Sequence, residues 1–314
     1  MEFTGIASYL VSFLTFAGVY AVLALGLNMQ WGFTGQFNIG IAGFFAVGAY
    51  TSAILTTPSS PAYLGGFGMP FLVGLAGAIV ASTLLGLIVG LITARLRTDY
   101  LAIASIGIAE MVRLFVKNED WLTNGVRGIA GIDRPLAGTA LDSPFAYLVI
   151  VALFVAGVYL LVERAYASPW GRVLRAIREN EPATAAAGKS IAGFRLQAFV
   201  LGSAIMGLGG GLYAHFFGFL SPEAFMPLYG TFLVWVMLIA GGSGNNRGAI
   251  LGAVVVWGVW SGTALLTDLL PTEYATQAAA LRVLLIGVLL QAILVLRPEG
   301  ILPEKPPKLL ARKR

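Results

Sequence analysis

Three groupings of side chains have the types and spacing to do chemistry. The first lies in Trp170–Arg195, WGRVLRAIRENEPATAAAGKSIAGFR, where Arg172, Arg175 and Arg178 recur every three residues and so line one face of a helix. Glu179 and Glu181 follow, Pro182 can open a further helical turn, and Gly188 can close it. Small side chains such as Ala186 permit close approach of another surface. Two readings fit these residues: a solvated loop whose arginines bind lipid headgroups, or a rigid helix that docks in a partner's groove and transmits its motion. The second grouping, Ala183 to Ser190, has the outline of a relaxed phosphate-binding loop. That chemistry needs a glycine loop after a buried strand, so that successive backbone N–H groups converge on an anion. Ala185–Ala187 favour helix instead, no strand precedes them, and the first glycine is missing, so the chain is expected to hold no nucleotide.

The third grouping is Glu110 with Arg113, opposite charges within an apolar run. A charge at mid-membrane costs about 2.5–3.5 kcal/mol on insertion scales, so such residues pair or face a cavity. Their spacing puts them on one helical face. They are candidates for a gate or substrate contact, with a structural ion pair as the alternative. Asn28, Gln36 and Asn38 bracket a glycine-rich break, where they can line a translocation path or cap broken helix ends. His215, the single histidine, reads as a hydrogen-bonder near the outer end of its span. With no cysteine, thiolate metal sites have no ligands; with one histidine, a His-based metal or proton-relay site is not expected, and no paired carboxylates support intramembrane catalysis.

The elements that must position these residues are membrane helices. The 314 residues are 58% hydrophobic and 11% charged, with a mean hydropathy of +0.83. A soluble domain carries roughly 25% charged residues. Nine apolar segments stand out, near 6–28, 37–56, 70–94, 99–117, 144–163, 196–216, 228–241, 248–267 and 279–296. Alternation at ten-residue scale, the mark of a membrane β-barrel, is absent from the sequence. The expected fold is therefore all-α and polytopic, with about 8–10 transmembrane segments. Broken or re-entrant helices are expected among them, because 228–241 has only 14 residues. No basic stretch precedes the first apolar run, which reads as a retained span.

Threading the segments alternately with the N-terminus outside places 15 of the 20 basic residues on the inner side, among them Arg95, Arg97, Arg164, Arg247, Arg297 and the Lys305–Arg314 cluster. Lys117, Arg127 and Arg134 fall outside. Cytoplasmic loops are enriched in Lys and Arg, which gives N-out, C-in. The net charge of +5 then reports orientation and not nucleic-acid binding. Residues 1–296 form the transmembrane domain, and 297–314 a basic, Pro-rich cytoplasmic tail near anionic headgroups. Leu25–Tyr50 and Leu238–Trp257 share a plan, glycine-spaced amides between apolar arms, as expected where a helix breaks.

Leu25–Tyr50, LGLNMQWGFTGQFNIGIAGFFAVGAY, resembles the early signature of LivM-type permeases of branched-chain amino acid ABC importers. Asp99–Ile103 with Glu110 and Arg113, GRVLRAIRENEPATAAAG at 171–188, LYGTFLVWVMLIAGGSGNNRGAILGA at 228–253 and RPEG at 297–300 match in the same order. The resemblance implies a multi-pass subunit of the bacterial inner membrane that forms half of a translocation pore and has no ATPase site of its own. It implies a LivH-type permease, two cytoplasmic ATPase subunits and a periplasmic binding protein as partners, with lipids around it. No cofactor would be bound by this chain, ATP being used by the partner subunits. Residues 171–188 would be the coupling helix. The family's histidine after the first signature glycine is replaced here by Ile41, so no role for it carries over. An importer of urea, short amides or carboxylates from the same family is the first alternative, and a self-sufficient ion-coupled transporter the second.

Overall fold

A computed structural model describes the backbone of residues 2–93, 98–138, 142–267 and 275–304. The chain is a helical polytopic membrane protein. Among the described residues, four helical stretches are long and apolar enough to cross a bilayer: Gly5–Gly32, Phe71–Thr93, Pro144–Ala167 and Ile191–Phe217. Arg95, Arg97 and the lysines and arginines from 305 onward lie outside the described residues.

Helix α1 (Glu2–Leu27) runs into a π-helical turn at Asn28–Gly32, and the helix stops at Thr34. After an irregular stretch the chain resumes as α2 (Ile41–Thr56), whose 16 residues span about 24 Å, short of a hydrocarbon core. Helices α3 (Phe71–Thr93) and α4 (Thr98–Asn118) follow, then a short α5 (Asp120–Thr123). Next come α6 (Pro144–Ala167), α7 (Pro169–Glu179), α8 (Glu181–Ala186) and α9 (Ile191–Phe217). A second π turn at Leu228–Phe232 leads into α10 (Leu233–Gly241), and α11 (Asn246–Thr267) and α12 (Ala275–Leu296) complete the bundle. The 14-residue apolar segment at 228–241 is thus a π turn joined to a short helix. Two two-residue strands, β1 (Ile129–Ala130) and β2 (Phe219–Leu220), pair antiparallel between loops.

Helices α1, α2, α9 and α10 form the centre. Leu23, Leu25 and Leu27 of α1, Phe44 and Phe45 of α2, and Met237 and Leu238 of α10 are all buried. Outer helices present apolar side chains to the surroundings, such as Leu72 and Ile88 on α3 and Leu153 and Leu161 on α6. That distribution is inverted relative to a soluble protein and suits a lipid boundary. Small residues bring the central helices together: a Cβ on Gly210 of α9 would stand 2.6 Å from the Ala49 nitrogen of α2.

Successive long helices alternate in direction, so their loops gather at two ends. One end brings together residues 32–37, 163–195, 242–247 and 297–304, through contacts such as Tyr166 Oη donating to Glu304 Oε1 at 2.9 Å. The opposite end joins 57–69, 116–136 and 216–225, where Leu64 N donates to the Trp121 carbonyl and Arg134 to that of Phe216. Among the described residues Arg164, Arg172, Arg175, Arg178, Lys189, Arg195, Arg247 and Arg297 belong to the first end, hereafter the basic end.

Candidate functional site

The basic end is built around two helix breaks and the α7–α8 pair. Helix α7 starts where Ser168 Oγ accepts from Gly171 N at 3.2 Å with Pro169 in the first turn. It buries Gly171, Leu174 and Ile177 at spacing three and leaves Arg172, Ala176 and Glu179 exposed. Asn180 caps α8 by accepting from Ala183 N at 3.0 Å. The helix stops in a Schellman motif at Gly188 (φ +77°), with Lys189 N donating to Thr184 O and Gly188 N to Ala185 O. Residues 183–190 are therefore a helix and its C-cap. Pro182, Ala183, Ala185, Ala186 and Ala187 are exposed; Thr184 alone in α8 is buried. A small, nearly uncharged knob results, held rigid at both ends.

The three arginines share a helix but not an environment. Each three-residue step rotates the side chain by about 60° from the last, so from Arg172 to Arg178 the direction swings through a third of a turn. Arg172 is exposed. The Arg175 guanidinium stacks on the Tyr166 ring at 3.9 Å. Arg178 points into the protein: it donates to the Gly32 carbonyl, to Glu304 Oε2 at 2.7 Å and to Glu179 Oε1 at 2.8 Å. Burial alone would lower its pKa, but the hydrogen bonds it donates to Glu179 and Glu304 outweigh that and hold the guanidinium above its usual value. Glu181 reaches back to Arg195 of α9 at 2.9 Å, and Gln36 Nε2 donates to the Arg195 carbonyl at 3.2 Å.

The asparagines of the break link helices. Asn28 is fully buried; its Oδ1 accepts from Gly244 N at 2.8 Å and its Nδ2 donates to Asn246 Oδ1 at 2.9 Å. Asn246 in turn donates to Glu163 Oε2 at 2.8 Å. Asn38 Oδ1 accepts from Gly40 N in the turn that leads into α2, its Nδ2 donates to Gln30 Oε1, and its carbonyl accepts from Trp235 Nε1. Gln30 fastens the π turn to α9 through the Phe199 carbonyl and Ser203 Oγ. The two glycine-rich breaks thus meet face to face. Asn28→Ala is expected to remove two hydrogen bonds and strand the buried Gly244 N–H, a loss of about 2–4 kcal/mol. Thermal unfolding of the purified protein in detergent measures it, and an unchanged melting temperature would remove Asn28 from this framework.

Glu110 and Arg113 lie elsewhere, on α4 toward the opposite end. Arg113 grips Glu110 with both Nε (3.0 Å) and Nη2 (2.5 Å), and Glu223 lies 3.9 Å from Arg113 and 3.1 Å from Lys117. The structure therefore brings Asn28, Gln36, Asn38, Arg178 and Glu181 to one end and leaves Glu110 and Arg113 apart. The other side of α4 faces α2 across an apolar cavity of about 490 Å³ lined by Val47, Tyr50, Ile54, Ile108, Val112 and Phe115. His215 is buried between Ser52 Oγ (3.1 Å) and the Asp133 carbonyl (2.6 Å), a linking role at the far end. Sequence reasoning missed Gln30, Glu163, Tyr166, Asn246 and Glu304. Asn246 lies within the second glycine-rich break; for Glu304 the sequence carries no signal.

Comparison with known proteins points in one direction. The family described as "Branched-chain amino acid transport system / permease component" matches residues 9–294. The high-affinity branched-chain amino acid transport system permease protein LivM of Salmonella typhimurium is 32% identical, over 95% of this chain and 71% of that protein. A probable LivM permease of Methanocaldococcus jannaschii is 33% identical over 92% of each. The LivH permease of Escherichia coli is 23% identical over 91% of this chain and 94% of its own length. No solved structure matches at comparable significance. By a family match that covers almost its whole length, this chain belongs to the permease components of branched-chain amino acid transport systems.

Proposed function

We propose that the chain is the LivM-type half of an ATP-driven importer for branched-chain and other hydrophobic amino acids in a bacterial inner membrane. A LivH-type permease completes the pore, a periplasmic binding protein delivers the solute, and two cytoplasmic ATPase subunits drive the cycle. The chain hydrolyses nothing itself. Its N-terminus faces the periplasm and its basic end the cytoplasm, as the positive-inside rule requires.

One observation carries this reading: the capped α7–α8 pair protrudes at the basic end with an exposed alanine face on one side and Arg178 rooted in the helix breaks on the other. Closure of an ATPase dimer around such a knob would shift it as a rigid body and bias the bundle between outward and inward openings. The apolar cavity between α2 and α4 offers an aliphatic side chain a compatible lining. An ion-coupled carrier needs a buried acidic site, whereas Glu110 is 39% exposed and already paired with Arg113.

Reconstitution tests the proposal. Vesicles with all four kinds of subunit are expected to accumulate leucine only with ATP, and ionophores that collapse ion gradients are expected to leave uptake intact. Accumulation by this chain alone, or abolition by ionophore, would overturn it.

A further inference from the structure

We propose that Arg178 is a strut and not a docking contact: it ties the ATPase-facing helix pair to both helix breaks, with Glu304 of the C-terminal segment holding it in place. The inference rests on the transporter reading above and assigns the route by which motion enters the bundle.

The Gly32 carbonyl is a helix end in need of a donor. Beyond the π turn, Gln36 N turns back to Gln30 O at 3.1 Å, so the next turn of helix does not cover Gly32. Arg178, from α7, supplies the missing donor. Its aliphatic stem crosses the same turn, where a Cβ on Gly35 (φ +71°) would lie 3.5 Å from Arg178 Cγ. The second break approaches from the other side: a Cβ on Gly244 (φ +80°) would lie 3.2 Å from Arg178 Nη1 and 2.7 Å from Glu304 Oε2. One guanidinium therefore touches the end of α1 and the turn between α10 and α11.

Glu304 fixes that guanidinium. Its two oxygens are divided between Arg178 and Tyr166, and Tyr166 is itself covered by Arg175 and packed on Phe33. The segment that carries Glu304 is pinned to α10, with Ile301 N donating to Ala240 O and Leu302 N to Gly241 O, both at 2.9 Å. Asn245 Nδ2 holds the Leu302 and Pro303 carbonyls. Residues 301–304 are thus hydrogen-bonded into the basic end. A planar fork with several donors can span these partners at once, and a lysine cannot.

Two measurements test the strut. In the assembled transporter, Arg178→Met is expected to keep the ATPase subunits bound while uptake per ATP hydrolysed falls about tenfold. Arg178→Lys should recover part of that loss, and Glu304→Gln should lose less than Arg178→Met. Normal uptake per ATP, or ATPase subunits that no longer co-purify with Arg178→Met, would overturn the strut. The second measurement needs no partner. In the purified chain, amide exchange across residues 33–38 and 243–246 is expected to rise about tenfold in Arg178→Met and stay unchanged across 150–160. Unchanged exchange at the two breaks overturns the strut even if the transporter reading holds. A wild-type chain that retains no ATPase overturns that reading, while the exchange result still decides the strut.

Discussion

Ala186→Trp is expected to strip the ATPase subunits from the purified transporter, lowering their recovery by about tenfold to a hundredfold, with insertion and melting of the permease unchanged. Ala186 is exposed, so an indole there can point away from the described residues. The effect falls on whatever surface receives α8. Docked faces pack as densely as protein interiors, and forcing extra volume into such a fit costs about 1–3 kcal/mol, which is that range of affinity. The helix itself tolerates the change, since Asn180 and Gly188 define its ends and the side chain at 186 is exposed. Co-purification of the ATPase subunits with tagged permease reads the result directly. A full complement would mean that the alanine face of α8 is not where the energy enters.

That prediction and the strut divide the 170–195 segment into two functions that the sequence shows only as one. The arginine periodicity, Pro182 and Gly188 are local signals, and they correctly place a helix, a restart and a stop. Whether an arginine points outward depends on 60° of rotation per step and on what lies beside it. Arg172 and Arg178 look equivalent in the chain. One is exposed, and the other is bound to Gly32 and Glu304 at sequence separations of 146 and 126. No window of sequence holds those pairs together.

The same limit governs the rest of the site. Apolar runs and their lengths expose the bundle, because lipid requires every backbone group to be satisfied within its own helix. Glycine-spaced amides expose the breaks for the same reason. They do not tell that Asn28 meets Gly244, or that Asn246 passes the link on to Glu163, since these are contacts between helices distant in the chain. Glu110 with Arg113 was legible as an ion pair because it is an i, i+3 contact. Glu223, which extends the pair, comes from a separate loop and carries no local mark.

Glycines make the point most sharply, and they supply the second large effect. Gly48→Val is expected to prevent the central helices from closing, with a loss of about 3 kcal/mol or more, enough to lose most of the folded protein in detergent. Gly48 lies on α2 where α9 passes closest: a Cβ there would overlap the Gly207 carbonyl and stand 2.6 Å from its Cα. The obstacle is backbone, so no rotamer relieves it. On the reverse side Gly207 is pressed toward α3, with its own Cβ position 2.7 Å from the Ala78 carbonyl. Three helices therefore approach through one pair of glycines, and relief at Gly48 requires α2 and α9 to separate along their shared length. Gly157 on α6 has open space at its Cβ position. Gly157→Ala is expected to leave the melting temperature unchanged or to raise it, since alanine restricts the unfolded chain more than glycine does. Composition alone ranks these two among 40 equivalent residues. Thermal unfolding of the two variants side by side separates them, and equal stability would mean that the α2–α9 seam has room which the backbone geometry denies it.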